Sequence, residues 1–168
     1  MAWEPYTEQQ WLDLTDAAPA IARAVASVSG SAAQSEAELD VFLTLLEESA
    51  DAQNDPAATL LGRLITDVKG RLAGGIAAPE NDAMTDGLQA ARKAGALLEI
   101  YPDAAQAREV RLWLLDVARR VAQSARDGGV LGLGSQQISN AESDTLLAIT
   151  DALGLSESGG GVIEAPET

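Results

Sequence analysis

A glycine-rich segment in the last third of the chain has a carboxylate at each side. Asp127 precedes the four glycines of residues 128–134, and Glu142 follows them at the start of the next predicted helix. Calcium, magnesium and manganese ions prefer carboxylate and backbone carbonyl oxygens as ligands, and glycines let a loop turn its carbonyl groups toward an ion. The pattern therefore makes Asp127 and Glu142 candidate ligands of a divalent cation.

A purely structural explanation of the same residues stays open. Counted from Asp127, the fifth and twelfth positions are Leu131 and Ile138, so the spacing is not that of an EF-hand loop. Ser139 and Glu142 match the capping-box pattern Ser-x-x-Glu, in which the glutamate side chain bonds to the backbone at the start of a helix. In that case Glu142 stabilises a helix end, and Asp127 takes part only in a turn.

The motif Gly132-x-Gly134 does not predict a nucleotide site. Nucleotide-binding fingerprints need a strand before the glycines and often a lysine after them. Here a helix is predicted before the segment, and residues 127–142 contain no lysine. The net charge of −15 would also repel phosphate groups.

Three pairs of neighbouring carboxylates are candidates for general acid–base catalysis by residue type alone. Each pair lies on a predicted helix whose opposite face is apolar, which is typical of a solvated surface. We therefore expect no catalysis from them, and a metalloenzyme that uses only carboxylate ligands is the remaining enzymatic alternative. The pairs are Asp13/Asp16, Glu36/Glu38 and Glu47/Glu48.

The overall composition excludes several classes of site. The chain has 168 residues with 11 basic and 26 acidic side chains, and it contains neither His nor Cys. It therefore cannot form a disulfide, a thiolate zinc site, a cysteine nucleophile or an imidazole base. A chain with a pI near 4.1 lacks the excess of Lys and Arg that nucleic-acid binding needs, so we expect no nucleic-acid partner.

Neither a signal peptide nor a transmembrane segment is predicted. Residues 1–6 lack the basic region and apolar stretch of a signal peptide, and Arg23, Arg111 and Asp116 interrupt the least polar runs. We expect a cytoplasmic protein without membrane insertion. The sequence does not identify its protein partners, and a homodimer stays open.

The sequence pattern is helical almost throughout. The helix formers Ala, Leu, Glu and Arg dominate, and alternating β-branched runs are missing. Thr7 is predicted to cap a short first helix, and Pro19 to begin the next one. The segment Ser35–Glu38 predicts a capping box, and Asp55-Pro56 predicts another helix start.

The second half of the chain predicts three further helices. Two of them span about residues 84–100 and 103–126, and the third begins at Ser139 and ends at Gly154. The three tryptophans are expected to pack against the bundle through their large apolar rings. They are Trp3, Trp11 and Trp113.

Two parts of the chain resemble each other. Residues 21–26 match residues 117–122 at an offset of 117 − 21 = 96. Ser35–Glu38 matches residues 139–142 at an offset of 139 − 35 = 104, and the glycine-rich insertion absorbs the difference. The match predicts an internal duplication of a helical hairpin.

The expected fold is therefore an all-α, single-domain bundle of about six to seven helices. Two pseudo-repeated hairpin units are placed at about residues 7–75 and 84–155 of a domain that covers residues 1–155. Residues 156–168 contain few apolar side chains and are expected to be a flexible acidic tail.

The second half also resembles the TerB-like family, named for tellurite-resistance protein B. Four motifs carry the resemblance over about residues 112–155, and they are Leu114–Ala122, Asp127-Gly128, the Ser139-x-x-Glu142 helix start and Leu153-Gly154-Leu155. The resemblance implies an all-α fold of two hairpin units. It also implies that Asp127 and Glu142 occupy acidic positions that bind a divalent metal.

The chain departs from the family pattern at three places. Arg126 stands where the family prefers Ala, residues 129–134 lengthen the loop, and residues 29–31 replace the Asp-Gly of the first copy. These departures leave one metal position instead of a symmetric pair.

Together these features predict a non-catalytic acidic module that binds protein partners and, at Asp127 and Glu142, a weakly held divalent cation. The resemblance implies a stress-response context of the tellurite-resistance kind. The alternative is a purely structural or protein-interaction bundle without a ligand.

Overall fold

Six α-helices make up the described part of the chain. The structure, a computed structural model, describes residues 5–28, 32–75, 81–127 and 140–156. These ranges contain no β-strand, and the predicted all-α fold is confirmed. In chain order the helices are α1 (Glu8–Ala26), α2 (Ala32–Asp51), α3 (Leu60–Leu72), α4 (Ala83–Glu99), α5 (Ala104–Asp127) and α6 (Asn140–Ala152).

Helix α1 is one continuous helix of 19 residues, so the predicted break at Pro19 is wrong. Thr7 caps its start as predicted, because the Thr7 hydroxyl accepts a hydrogen bond from the Gln10 N–H (3.2 Å) and the Gln10 side chain accepts one from the Thr7 N–H (2.8 Å). Pro19 has no N–H and removes one helical hydrogen bond. Leu14 and Ile21, on either side of the proline, are fully buried. This packing keeps the helix intact across the missing bond.

Helix α2 begins earlier than the sequence pattern predicts. Its first residue is Ala32, so Ser35 lies in the first turn and is not the N-cap. The segment before Ser35 reads Ala-Ala-Gln, and these good helix formers extend the helix toward its amino end.

Helix α3 begins later than predicted, at Leu60 with Thr59 as its N-cap. Asp55 and Pro56 form a turn instead of a helix start. The Asp55 carboxylate accepts a hydrogen bond from the N–H of Ala57 (3.2 Å), which is a common turn contact. The aspartate side chain therefore stabilises a local turn, and the helix starts only at the next capping residue.

Two aspartates stand at the starts of α4 and α5. Asp82 accepts hydrogen bonds from the hydroxyl and the N–H of Thr85, and both bonds lower the pKa of this carboxyl. Asp103 accepts hydrogen bonds from the side chain and the N–H of Gln106, which lower its pKa in the same way. Both carboxylates are thus held ionised at helix amino ends, where negative charge is favourable.

Helix α6 ends in the predicted Schellman-type turn. Gly154 has a φ of +70°, a left-handed conformation that favours glycine. The N–H of Leu155 donates to the carbonyl of Thr150 (3.0 Å), and the N–H of Gly154 donates to that of Asp151 (3.0 Å). The start of α6 at Asn140 agrees with the prediction, while its predicted cap Ser139 lies outside the described residues.

Helix α1 is the centre of the bundle and contacts each of the other five helices. Trp11 and ten further residues of α1 are buried. The core continues through one fully buried large side chain on each of four partner helices: Phe42, Leu64, Leu114 and Ile149. This central position brings α1 beside both α3 and α4, which border the candidate site.

Small residues allow a close approach of the helices on both sides of α4. A Cβ on Gly87 would stand 2.3 Å from the Cβ of Ala24 and 2.8 Å from the carbonyl oxygen of Ala20, both on α1. A Cβ on Gly95 would stand 2.5 Å from the carbonyl oxygen of Ala152 at the end of α6. Because a packed interior has no room for such overlaps, the position of α4 depends on glycine at both sites.

The two predicted repeat units share one core. Helices α1–α3 fall within residues 7–75, and α4–α6 fall within residues 84–155 except that α4 begins one residue earlier, at Ala83. Helix α1 packs most extensively on α4 of the other unit. The sequence match pairs Ser35 with Ser139 as two helix caps. Ser35 lies inside α2 and is not its N-cap, so the structure does not support this part of the match. The duplication itself stays a prediction, and most of the predicted tail, residues 157–168, lies outside the described part of the chain.

Candidate functional site

The two predicted cation ligands lie at the two ends of the connection between α5 and α6. Asp127 is the last residue of α5, and Glu142 is half-buried in the first turn of α6. The two helices contact each other, but the Asp127 side chain and residues 128–139 lie outside the described part. Among the side chains that the structure describes, no group of three or more metal-ligating residues is found. The Asp127–Glu142 cation site stays a prediction.

The pair Glu47/Glu48 belongs to the solvated surface, as predicted. Both side chains are exposed, and each forms an ion pair with a different helix. Glu47 pairs with Lys69 of α3, and Glu48 lies 3.0 Å from Arg120 of α5. Exposed ion pairs stabilise a fold by only about 0–1 kcal/mol, so these carboxylates orient α2 weakly against its neighbours.

Glu38 is an exception, and the prediction of a solvated Glu36/Glu38 pair is wrong for it. Glu36 is exposed, but Glu38 retains only 1% of its exposure. Glu38 lies four residues before the fully buried Phe42, and residues at this spacing share one face of a helix. Glu38 therefore faces the interior, and its carboxylate belongs to the core.

A polar groove lies between α1, α3 and α4 and has a volume of about 510 Å³. Each helix lines it with side chains three or four residues apart, which stand on one helix face. The α1 face begins at Gln9 and ends at Arg23, and the α4 face runs from Asp86 to Lys93. Val68 of α3 adds an apolar part. A concave site of this volume with convergent polar groups has room for a small molecule.

Ion pairs across the groove connect α1 to both neighbours. Asp16 lies 2.8 Å from Arg71 of α3, and Asp13 lies 3.4 Å from Lys93 of α4. Arg71 also donates a hydrogen bond to the hydroxyl of Thr15 (3.3 Å). The predicted Asp13/Asp16 pair is therefore part of the groove wall, and each carboxylate has its own cation.

Arg23 is a groove residue whose role the sequence pattern does not predict, because in the sequence it only interrupts an apolar run. The Nε and Nη1 atoms of Arg23 are buried and have no hydrogen-bond partner in the described structure. Burial lowers the pKa of this guanidinium, and the nearby carboxylates of Asp86 and Asp16 offset part of that effect. The groove thus contains a positive charge that is partly removed from water and is not hydrogen-bonded at two nitrogens.

The groove is electrically balanced, unlike the chain as a whole. The protein carries a formal charge of −15, whereas the charged side chains that line the groove cancel. A ligand with an acidic group is therefore not opposed by a local excess of carboxylates. The lining cations are Arg23, Arg71 and Lys93, and the lining carboxylates are Asp13, Asp16 and Asp86.

Two tryptophans have structural roles, as the sequence predicts. Trp11 and Trp113 are buried, and Trp3 lies outside the described residues. The indole N–H of Trp11 donates to Asp67 of α3 (2.7 Å), and that of Trp113 donates to the hydroxyl of Ser49 of α2 (3.0 Å). Both rings therefore join helices through packing and one hydrogen bond.

Tyr6 anchors the segment before α1 on α4. Its ring stacks on Trp11 and on Tyr101, with centroid distances of 6.2 and 5.8 Å. Its hydroxyl donates a hydrogen bond to the carbonyl of Leu97 (2.9 Å). Burial raises the pKa of Tyr6 to about 12, with a smaller contribution from Tyr101. This group is thus held neutral by packing.

Within the part of the chain that the structure describes, four large apolar side chains are exposed, on α2, at the end of α4, on α5 and on α6. Single exposed apolar residues are ordinary on a protein surface, so they do not decide whether the chain forms a homodimer. Of the helices that the structure describes, none combines the length and the apolar character that crossing a bilayer requires. The four side chains are Leu43, Ile100, Leu112 and Leu147.

Comparison of the chain with models of known protein families, with curated proteins and with solved structures finds no match. The resemblance to the TerB-like family therefore stays a prediction from the sequence motifs. The functional argument that follows rests on the groove.

Proposed function

We propose that this chain is a non-catalytic helical binding module whose ligand site is the groove between α1, α3 and α4. The observation that carries the proposal is the groove itself, with about 510 Å³ and polar side chains from three helices. Small-molecule sites have volumes of roughly 300–1,000 Å³. The ligand is accordingly a small polar molecule.

The pairing of the groove carboxylates supports binding over catalysis. Asp16 is paired with Arg71 and Asp13 with Lys93. A carboxylate that transfers a proton must contact the reacting group directly, whereas each of these two carboxylates already contacts a cation of a neighbouring helix. These groups suit recognition of a polar ligand better than proton transfer.

The sequence pattern extends the proposal beyond the groove. The TerB-like resemblance supports a stress-response role with a protein partner and a divalent cation at Asp127 and Glu142. The cytoplasmic location is proposed from the sequence, which predicts neither a signal peptide nor a transmembrane segment. The groove is separate from those two residues, since it is formed by α1, α3 and α4. Its ligand and the cation are therefore tested separately.

A ligand screen with a groove-filling variant tests the proposal. Ala90 of α4 lines the groove and is half-buried, so Ala90→Trp places a large ring in the groove. Ala105 of α5 is exposed and does not line the groove, and Ala105→Trp is the matched control. A library of small acids, amines, sugars and amides is screened against the wild type by ligand-observed NMR.

The expected result is a set of ligands that bind the wild type and Ala105→Trp but not Ala90→Trp. Circular dichroism checks that all three proteins are equally helical. Ligands that bind all three proteins equally would place the site elsewhere. A library without any binder would favour the alternative of a structural bundle without a ligand.

A further inference from the structure

The side chain of Arg23 indicates which chemical group the ligand of the groove carries. A guanidinium has only hydrogen-bond donors. Its Nε and Nη1 atoms are buried and donate to no group that the structure describes. A buried donor left without an acceptor costs about 1–3 kcal/mol, and more when it is charged. The folded protein therefore keeps an unfavourable group in its groove.

The two carboxylates whose charges act on Arg23 are those of Asp16 and Asp86. They do not provide the missing hydrogen-bond acceptors. Asp16 lies 2.8 Å from Arg71, across the groove. Asp86 accepts hydrogen bonds from the N–H (3.1 Å) and the side-chain amide (2.7 Å) of Asn81. Both carboxylates act on Arg23 through their charge, but neither accepts a hydrogen bond from its Nε or Nη1 atom.

We propose that Arg23 binds an oxyanion group, a carboxylate or a phosphate, of the ligand that occupies the groove. This inference rests on the proposed function and names the class of its ligand. The planar guanidinium donates two parallel hydrogen bonds to such a group, and its charge strengthens both. Arg23 lines the groove, and its side chain keeps part of its exposure through atoms other than Nε and Nη1. A ligand in the groove therefore meets the exposed part of this side chain, and a change of rotamer brings the two buried nitrogens to the ligand.

The charge distribution permits an anionic ligand in this acidic protein. Arg71 and Lys93 line the same groove as Arg23, and three carboxylates balance the three cations. At physiological ionic strength, charges more than about 8 Å away are largely screened. The carboxylates elsewhere on the surface therefore oppose binding only weakly, and the neutral groove sets the local potential.

The stability of an Arg23 variant separates a binding residue from a structural one. Arg23→Met removes the charge and keeps an unbranched side chain in the same place. Without ligand, we expect the variant to be as stable as the wild type or more stable, because two buried donors without acceptors are lost. A structural arginine would behave in the opposite way, and its removal would lower the free energy of unfolding.

The test combines thermal unfolding with calorimetric titration of sodium phosphate and sodium succinate at constant ionic strength. In the wild type, we expect the anion to raise the melting temperature and to give binding heat. In Arg23→Met, we expect the affinity to fall by more than about tenfold, because a charged hydrogen bond to the anion is lost. Arg92→Met is the matched control, since Arg92 is exposed on α4 and does not line the groove. A response to phosphate alone or to succinate alone identifies which oxyanion the site prefers.

Two results would overturn the inference. One is an equal response to both anions in wild type, Arg23→Met and Arg92→Met, because salts also stabilise proteins without binding. The other is an Arg23→Met protein that is folded and less stable than the wild type without ligand. If neutral molecules from the screen still bind the groove and Ala90→Trp blocks them, the binding function stands and only the oxyanion class is wrong.

Discussion

Replacement of Gly87 by alanine tests the close approach of α1 and α4 that forms one side of the groove. The new methyl group would stand 2.3 Å from the Cβ of Ala24 and 2.8 Å from the carbonyl oxygen of Ala20. Carbon atoms in contact are normally about 3.5–4.0 Å apart. The helices must therefore separate by more than an ångström at this point, or the backbone must bend.

Two opposing effects set the magnitude. Alanine is favoured over glycine inside a helix by about 1 kcal/mol. Forcing an extra methyl group into a packed contact typically costs about 1–3 kcal/mol. We take the upper part of this range, about 2–3 kcal/mol, because one of the contacts is backbone, which cannot rotate away. We expect Gly87→Ala to lower the free energy of unfolding by about 1–2 kcal/mol in total. For a chain of this size, each kcal/mol lowers the melting temperature by roughly 2–4 °C.

Gly70→Ala is the matched control for this measurement. Gly70 is also inside a helix, α3, but a Cβ there would meet nothing within 4 Å. The same substitution should therefore stabilise the protein by up to about 1 kcal/mol through helix propensity alone. Urea denaturation followed by circular dichroism measures both variants against the wild type.

The sign of the difference decides the test. Gly87→Ala and Gly70→Ala should change stability in opposite directions. In a double-mutant cycle, Ala24→Gly should cost less in the Gly87→Ala protein than in the wild type, because it removes the shorter of the two contacts. If Gly87→Ala stabilises the protein as much as Gly70→Ala does, the close contact between α1 and α4 is refuted.

Two further predictions concern Tyr6 and the Asp127–Glu142 pair. Because the pKa of Tyr6 in the folded protein is raised from 10.0 to about 12, its contribution to stability is present below pH 10 and is lost as the pH rises through about 12, by on the order of 2 kcal/mol. Tyr6→Phe should be about 1 kcal/mol less stable than the wild type at pH 8, through loss of the Leu97 hydrogen bond. In denaturation experiments this difference should vanish at about pH 11 and reverse by about pH 12, because the loss in the wild type exceeds about 1 kcal/mol there; a difference that stays constant with pH would contradict the argument. Calorimetric titration of calcium, magnesium and manganese should give binding heat with the wild type and much less with Asp127→Asn, and the absence of heat with the wild type would exclude the cation site.

The fold class and several helix ends could be predicted from the sequence because they depend on local chemistry. The Thr7 cap and the Gly154 turn involve only residues within one or two helical turns. The continuity of α1 could not be predicted locally, since Pro19 alone favours a helix start. Burial on both sides of Pro19 comes from packing against other helices, which no short window of sequence contains.

The groove was missed for the same reason. Once α1 is divided at Pro19, its polar face from Gln9 to Arg23 falls on two separate helices, and Asp13 and Asp16 look like a solvated surface. Read as one helix, the groove-lining positions 9, 13, 16, 20 and 23 follow spacings of four and three residues. The burial of Glu38 could not be predicted for the same reason. Its charge alone predicts an exposed side chain, and only the partner helices determine which face of α2 is covered.

The central position of α1 has a consequence for how the protein is synthesised. Because the ribosome makes the chain from its amino end, α1 is complete before α4, α5 and α6 exist. The later helices cover part of its apolar face in the finished fold. That part of α1 is exposed to water until those helices are made. If synthesis pauses before Ala83, the nascent chain therefore exposes the apolar face of α1. We expect the nascent chain to need a chaperone most at this stage of synthesis.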